Sequence, residues 1–532
     1  MPWVETEPGV YKTPLGGAER IYDRVARLFN HLKREHYRVH CVCRLDFGPD
    51  FVQTQGDGQD QGRRDPATAL REAWKAVRRE MPALGVVLDT GIHTGEKGPA
   101  VHKVYKVLDA QGEEDWVLQT FFVESLGTTS DDVLARQPSD LSCLHFLPAT
   151  SEVVLLLAHW RVDAVGNNLI IDRLFTLMTE LPALETVRQP TINDVSPCLE
   201  EALGTPETWT NEQDEWARNY IQKFRENSYA NDRMRYRGDA ETLPGNPVRQ
   251  TVIFDPACTA PLISACKERD ISVTAAVHSA LAQTVFSLAD IRETNGVTNG
   301  VTNGDMNGLT NGHANSTTNG LTNGHGEKKH QSKHDYTCTM AMNLRPKLPA
   351  PYNSRAHAAQ TYVLGMACRV KRESSFADSA KALTRHYKEM YNNDTLRECL
   401  RAVYKNNADT TPAQQKKAAS VAAAAASAPP SPPCGITISS LGVVDHSLTG
   451  HYGGDDSSGS LVKVREYHFG IDMMTRQMVM YSGTFRGRLQ LSISYNDAYY
   501  GSDVPLDVID RVRHELEKGL GVELLLAGPA SA

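Results

Sequence analysis

Apolar and polar residues recur along the chain with two different periods, and these periods predict both strands and helices. Residues 116–122 alternate, and residues 152–158 are almost continuously apolar, as expected for a half-buried and a fully buried strand. Four segments place apolar side chains at spacings of three and four, as amphipathic helices do: residues 17–35, 66–81, 169–181 and 260–289. The alternation of strand and helix segments predicts an α/β (α+β) fold.

The length of the chain predicts more than one hydrophobic core. A chain of 532 residues exceeds an ordinary single domain, so we expect an N-terminal domain over residues 1–200 and a C-terminal domain over residues 249–532. Residues 201–248 are acidic and are interpreted as a crossover between the two. Two low-complexity stretches, residues 291–334 with recurring Thr-Asn-Gly and the Ala- and Pro-rich residues 406–433, are predicted to be flexible insertions without chemistry.

Composition and charge exclude several functional classes. The chain is 40% apolar and 23% charged with a net charge of -8, which is typical of a soluble globular protein and suggests no nucleic-acid partner. The longest apolar stretch, residues 153–158, is far shorter than the ~20 residues that span a bilayer. The first residues are acidic and lack the basic start and apolar run of a signal peptide. We therefore expect a cytoplasmic protein that is not associated with a membrane.

The cysteines do not suggest a metal site. Ten are scattered along the chain, and only Cys41 and Cys43 are close in sequence. The alternation of residues 39–45 places both on one face of a strand, where they cannot chelate as a Cys-x-x-Cys turn does. Buried, reduced thiols are the favoured interpretation, and we predict no metal.

A histidine followed four residues later by an aspartate occurs three times: His159 with Asp163, His451 with Asp455, and His468 with Asp472. The second pair lies in a Gly- and Ser-rich stretch that predicts a loop without fixed geometry. The third lies in a predicted strand with both residues on one face, which favours a structural histidine and leaves His468 as a secondary candidate.

The first pair has the context of a reactive site. His159 directly follows the apolar strand, and a helix that Asn167 or Asn168 could cap comes after it. The ends of buried strands present side chains to a crevice while the rigid sheet fixes their direction. A hydrogen-bonded core histidine is the structural alternative.

Further segments give the chain a family resemblance. Residues 260–281 resemble the helix pair that opens the second domain of the His-x-x-x-Asp acyltransferase superfamily, and Asn343-Leu344-Arg345 is similar to its Asn-x-Arg strand. Residues 438–442 resemble its Ser-x-Leu-Gly strand. Residues 484–500 are most similar to the fungal trichothecene 15-O-acetyltransferase branch. This superfamily also includes chloramphenicol acetyltransferase, plant alcohol acyltransferases and the condensation domains of peptide synthetases.

The resemblance implies a fold and a reaction. The fold is two chloramphenicol acetyltransferase-like domains, each a mixed sheet flanked by helices, with the active site at their interface. The reaction is transfer of an acyl group, in the first instance acetyl, to a small-molecule alcohol of terpenoid or polyketide type. Acyl-CoA would be the co-substrate, without a bound cofactor, and the protein would act as a monomer.

The resemblance also assigns roles to residues. His159 would be the general base that takes the proton of the alcohol as its oxygen attacks the thioester, so that no covalent acyl-enzyme is needed. Asp163 would have a structural role in an ion pair with Arg345, with Arg161 as the local alternative.

Three further residues are candidate donors to the carbonyl oxygen on which negative charge develops: Ser439, Ser440 and Asn496. Side chains that only satisfy nearby backbone groups are the alternative for each of them.

Two departures from the family pattern keep other functions open. Ala164 stands where the family has a glycine after the aspartate, and glycine comes only at Gly166, which could reshape the turn. The Asp-Phe-Gly-Trp-Gly motif of plant members is represented here at most by His468-Phe469-Gly470. The alternatives are a condensation-type enzyme that takes its acyl group from a carrier-protein thioester, and a noncatalytic binding scaffold.

Overall fold

The computed structural model describes ten parts of the chain: residues 2–51, 63–89, 101–180, 187–226, 234, 236–239, 241–298, 334–408, 435–454 and 461–527. Most of the two predicted insertions, residues 291–334 and 406–433, lies outside the described residues, and so does Asp455.

The described residues form sixteen strands: β1 (Val4–Glu7), β2 (Val10–Pro14), β3 (Val39–Phe47), β4 (Val87–Asp89), β5 (His102–Lys106), β6 (Phe121–Val123), β7 (Cys143–Leu147), β8 (Glu152–Leu157), β9 (Pro247–Ile253), β10 (Tyr336–Asn343), β11 (Val363–Val370), β12 (Ile436–Val443), β13 (His451–Tyr452), β14 (Val462–Ile471), β15 (Met478–Phe485) and β16 (Arg488–Asn496).

They also form thirteen α-helices: α1 (Gly17–Ala26), α2 (Pro66–Glu80), α3 (Ala110–Thr120), α4 (Ser130–Leu134), α5 (Ala164–Glu180), α6 (Leu199–Ala202), α7 (Asn211–Glu226), α8 (Pro256–Glu268), α9 (Val273–Thr298), α10 (Phe376–Tyr391), α11 (Asp394–Glu398), α12 (Leu400–Ala408) and α13 (Asp503–Leu520).

The first large sheet has six strands in the order β13-β14-β3-β8-β7-β6. Alternation along β3 and β8 directs Val39, Cys41, Val153 and Leu155 to one face, where they join a core that includes apolar residues of α2 and α5. Cys41 and Cys43 therefore share a buried face, as predicted, and all nine cysteines among the described residues are free and buried.

The second large sheet has four strands in the order β12-β15-β16-β9. One face carries apolar residues such as Ile438, Met480 and Leu491, which pack in a core with α8, α9 and α13. The opposite face combines polar residues with Val479, Tyr481 and Phe485, and it is directed toward the six-stranded sheet, where Tyr481 contacts Phe469 with ring centroids 5.5 Å apart. Two smaller sheets, β1-β2-β5-β4 and β10-β11, complete the mixed α/β architecture.

The C-terminal part of the chain completes the N-terminal sheet. β14 pairs antiparallel with β3, placing Phe469 opposite Cys41 and Gly470 opposite His40. β13 and β14, which belong to the predicted C-terminal domain of residues 249–532, therefore join the sheet of the N-terminal part. The pairing covers the edge of β3, whose backbone groups would otherwise lack partners.

Two local predictions differ from the structure. Most of residues 116–122 are helical in α3, because Asp109 caps that helix and Trp116 turns into the core. The amphipathic stretch 17–35 is helical only to Ala26 and continues as a 3-10 helix to Leu32. The segment 260–289 forms a pair of helices, as the family resemblance implied, with a break around Asp270, which has a left-handed φ of 52°.

The described ranges contain neither a metal cluster nor a single membrane-spanning helix. No group of three or more His, Cys, Asp or Glu side chains in these ranges could hold a metal ion. No single helix in them combines the length and apolar composition needed to cross a bilayer; α8 and α9 meet that criterion only together, across a 93° bend.

Candidate active site

His159 lies in the turn that joins β8 to α5, at the end of the buried strand. The turn is attached to the C-terminal part of the chain, because the hydroxyl of Thr361 donates a hydrogen bond to the backbone carbonyl of His159. The position of the imidazole is therefore fixed by a rigid strand on one side and by a contact between the two halves of the chain on the other.

The two ring nitrogens of His159 have different surroundings. Nδ1 is enclosed and makes no hydrogen bond within the described residues. Nε2 has no hydrogen-bond partner there either, but it is accessible, and the side chain as a whole is half-buried. The ring of Tyr22 stacks on the imidazole with a centroid distance of 3.8 Å and an interplanar angle of 12°, and Tyr37 lies 6.4 Å away. Nε2 is thus the nitrogen that a substrate can reach.

Burial lowers the pKa of His159 below the ordinary value of 6.5. The backbone carbonyls of His159 and Val162 and the charge of Asp163 act in the opposite direction, but burial is the larger effect. The ring is therefore neutral near neutral pH, with a lone pair available on one nitrogen.

Asp163 is directed into a buried cluster and makes no hydrogen bond with the imidazole of His159. One carboxylate oxygen accepts the backbone N–H of Gly166 at 2.8 Å; the other accepts the N–H of Tyr362 at 2.8 Å and Nη2 of Arg345 at 2.9 Å. Asp163 and Arg345 are only 1% and 5% exposed. The carboxylate caps α5, where the sequence had suggested Asn167 or Asn168, because it comes directly before the first helical residue.

Arg345 connects this cluster to the other half of the chain. Its guanidinium also donates to the carbonyls of His357, Ala358 and Gln360. Arg161, the local alternative, is engaged elsewhere, with Ser142 and the carbonyls of residues 86 and 140. The ion pair of Asp163 therefore crosses between the N-terminal and C-terminal parts.

The unusual Ala164 is accommodated without strain. It is the first residue of α5 and has no positive φ, so its Cβ costs nothing in the backbone conformation. Gly166 is the position at which a side chain cannot fit: a Cβ there would lie 2.3 Å from the carbonyl oxygen of Ala358 and 2.6 Å from Nη2 of Arg345. The glycine is required two residues later than the family pattern suggests.

The chain is similar to fungal acetyltransferases along its whole length. It is 36% identical to the O-acetyltransferase pigM of Monascus ruber over 525 residues, which is 98% of this chain and 88% of the relative. The chain belongs to the fungal O-acetyltransferase family. It is also 32% identical to the azaphilone biosynthesis cluster protein M of Aspergillus terreus, over 97% of this chain and 98% of that protein. No family model matches the sequence.

A solved structure supports the fold of this fungal O-acetyltransferase family member. The TRI3 trichothecene 15-O-acetyltransferase of Fusarium sporotrichioides superposes with a TM-score of 0.67 at 12% identity, covering 97% of each chain. This confirms the chloramphenicol acetyltransferase-like fold. With the relatives, it establishes the protein as an acyltransferase enzyme of fungal secondary metabolism, as the sequence predicted.

The three candidate oxyanion donors of the acetyltransferase have different positions. Ser439 lies on the polar face of β12, level with Tyr481. Ser440 points to the opposite face, where its hydroxyl pairs with that of Thr274 on α9 at 2.8 Å. Asn496 is fully buried, and its amide bonds to the backbone of Gly245 and to other main-chain groups. These contacts commit Ser440 and Asn496 to local structure, and only Ser439 faces the space between the sheets.

The third His-x-x-x-Asp pair is separated in the structure. Asp472 is buried and bonds to Nδ1 of His40 at 3.1 Å and to Nε of Arg38 at 2.7 Å, whereas His468 lies near Glu466. The partner of Asp472 comes from β3, because β14 and β3 are neighbours in the sheet.

Two contacts of His159 carry no signal in the sequence. Tyr22 comes from α1 and Thr361 from the segment before β11, both far from the motif. Neither lies in a recognisable motif, so only the packing of the two halves reveals them.

Proposed function

We propose that this acetyltransferase moves an acyl group, acetyl in the first instance, from acyl-CoA to a hydroxyl group of a small secondary metabolite of terpenoid or polyketide type, with His159 as general base. The observation that carries the proposal is the accessible Nε2 of a neutral imidazole, held at the end of a buried strand. The name of the Aspergillus relative makes an azaphilone-related alcohol the first acceptor to test.

The proposed reaction is one direct transfer. Nε2 of His159 accepts the hydroxyl proton while the alcohol oxygen attacks the thioester carbonyl. The C–O bond of the ester forms, the C–S bond breaks, and the imidazolium returns its proton to the departing thiolate. Proton transfer of this kind requires hydrogen-bond reach, which only the accessible nitrogen has.

Asp163 and Arg345 act as positioning residues in this proposal. All hydrogen bonds of the Asp163 carboxylate go to groups within the protein, so it has no part in proton transfer. A buried ion pair between two segments fixes their relative position, because its directed hydrogen bonds allow little variation. The turn with His159 is thereby held against residues 345–362.

The acceptor and the acyl donor are the partners that we propose, with acyl-CoA as co-substrate and no bound cofactor. We further propose a cytoplasmic monomer without nucleic-acid or membrane partners. Of the three candidate donors, Ser439 is the one that we retain for contact with substrate, because it faces the space between the two sheets.

Thiol release from acetyl-CoA tests the function directly. We expect release that depends on an azaphilone, polyketide or terpenoid alcohol, with an acceptor product heavier by one acetyl group. The control replaces acetyl-CoA with the same acetyl group on the phosphopantetheine of a carrier protein. Acceptor-dependent turnover with the carrier thioester alone would assign the protein to the condensation-type alternative. Absence of turnover with either donor would contradict acyl transfer to these alcohols.

A further inference from the structure

A second group of polar side chains lies between the two large sheets, apart from His159. Three enclosed nitrogen atoms there have no hydrogen-bond partner among the described residues: Nε2 of His40, Nη1 of Arg249 and Nδ1 of His468. Buried polar groups without partners are rare in proteins, so three in one region indicate a place that a polar ligand occupies.

Strand register explains why these side chains meet. Arg249 on β9 lies directly opposite Ser494 on β16, and the alternation of β15 and β16 puts Tyr481 on the same face. From the other sheet, His40 lies opposite Gly470. A Cβ on Gly470 would be 2.6 Å from Nε2 of His40 and 3.0 Å from Oγ of Ser494. Because this glycine has no side chain, both groups can approach the backbone of β14 closely.

Arg249 is a buried cation without a contact ion pair, although the charge of Asp131 acts on it and favours its charged form. It makes no hydrogen bond or ion pair with the described residues, in contrast to Arg38 and Arg345, which each hold a buried aspartate. Its charge lowers the pKa of both His40 and His468. Burial lowers the pKa of Arg249 to about 10, so the side chain remains charged at neutral pH. An unpaired charge in such a position is unfavourable unless an anion binds.

His40 supplies the complementary acceptor. A carboxylate can only accept hydrogen bonds, so the bond to Asp472 places the ring hydrogen on Nδ1 and leaves a lone pair on Nε2. Burial lowers the pKa of His40, which keeps the ring neutral. The cluster therefore offers a strong cationic donor and, beside it, an acceptor for a ligand hydroxyl.

The cluster borders the region of the proposed base. Tyr37, whose ring lies 6.4 Å from that of His159, is also one of the groups that raise the pKa of Tyr481. A substrate that extends between the two sheets could therefore contact both places.

We propose that Arg249 and His40 recognise an acidic oxygen with a neighbouring hydroxyl on the acceptor, such as a carboxylate beside a phenol or the enolate of a hydroxylated 1,3-dicarbonyl. Arg249 would donate to the acidic oxygen, and Nε2 of His40 would accept the hydroxyl hydrogen. This inference rests on the proposed function for the identity of the ligand as acceptor, but binding itself requires no turnover.

Equilibrium binding of salicylate, with methyl salicylate as the neutral match, tests the site. Salicylate carries a carboxylate beside a hydroxyl, and we expect the wild-type protein to bind it at least ~10-fold more tightly than the ester. Arg249→Gln should abolish this preference and Arg249→Lys should retain part of it. His159→Ala should bind salicylate as the wild type does, so a failure of the catalytic proposal would not affect this result.

Gly470→Ala provides an independent variant, because its Cβ would clash with Nε2 of His40 and displace the ring. We expect it to lose salicylate binding while its melting temperature shows that it is folded. Three results would overturn the proposal. The wild type could bind salicylate and methyl salicylate equally, it could bind neither, or its preference for salicylate could survive Arg249→Gln. In turnover assays salicylate should compete with the acceptor; competition with acyl-CoA alone would overturn the assignment to the acceptor.

Discussion

The proposed role of His159 as the base depends on the contrast between its two ring nitrogens. Tyr22 covers one face of the ring at 3.8 Å, Nδ1 is enclosed, and only Nε2 can meet a substrate. Removing water from around the ring disfavours the imidazolium, and the pKa falls in consequence. A base that is neutral at working pH needs no further activation to accept a proton.

The acid side of the pH profile tests this lowered pKa. The neutral ring is the active form and predominates at every pH above its pKa, so kcat/KM should fall only at pH values below 6.5. Tyr22 and Tyr37, which face the ring, have pKa values raised by burial and stay neutral in this range. We would measure kcat/KM by thiol release from about pH 4.5 to about pH 8.5. An acid limb centred above 6.5 would contradict the account.

At the scale of elements, one carboxylate joins three pieces of structure. Asp163 ends the turn after β8, caps α5 and holds Arg345 and the N–H of Tyr362. The approach is close enough that position 166 has no room for a side chain. The family pattern has glycine at the first residue of this helix, where this chain has Ala164. Here glycine is required instead at the third residue, Gly166, because of the contact with Ala358.

Gly166→Ala and Ala164→Gly form a matched pair that tests this junction. The new Cβ of Gly166→Ala would be 2.3 Å from the carbonyl oxygen of Ala358, so the loop or Arg345 must move. We expect a loss of about 1–3 kcal/mol in unfolding free energy and a kcat/KM at least ~10-fold lower. Ala164→Gly removes only a methyl group and should cost about 1 kcal/mol or less. Urea unfolding measures the unfolding free energy and thiol release measures kcat/KM. Equal losses of stability and of kcat/KM in the two variants would refute the role of Gly166.

The sequence pattern predicts those features of the site that depend on nearby residues, and it misses those that depend on tertiary packing. The buried strand before His159 and the pairing of Asp163 with Arg345 were predictable, the first from an apolar run and the second from a family motif. Residues 116–122 were assigned to the wrong element, because a cap at Asp109 outweighs their alternation. Tyr22 and the partners of Asp472 depend on tertiary packing, which no local period records.

At the scale of the whole molecule, two features join the halves: a strand of the C-terminal part that lies in the N-terminal sheet, and the ion pair between Asp163 and Arg345. β14 comes from the C-terminal part but completes the N-terminal sheet beside β3. Its residue Val464 is fully buried in the N-terminal core. The halves are therefore expected to unfold together, since the N-terminal sheet is incomplete without β13 and β14.

Val464→Ala tests this coupling. We expect it to lower the free energy of unfolding by about 1–3 kcal/mol and to shift one common transition. Far-UV circular dichroism and tryptophan fluorescence, followed in the same urea titration, should give the same midpoint. Val443→Ala, at a position that is 46% exposed, is the control and should leave the midpoint nearly unchanged. Two separate transitions would contradict a single cooperative unit.

The most direct test of the central claim compares acceptor-dependent thiol release from acetyl-CoA by the wild type, His159→Ala and His514→Ala. His514 is a control histidine whose side chain is 60% exposed on α13, and its replacement should leave the rate unchanged. Loss of the general base predicts a rate ~100- to 10,000-fold lower for His159→Ala, with the protein still folded. Robust acceptor-dependent release by folded His159→Ala would contradict His159 as the base and make His468 the next candidate.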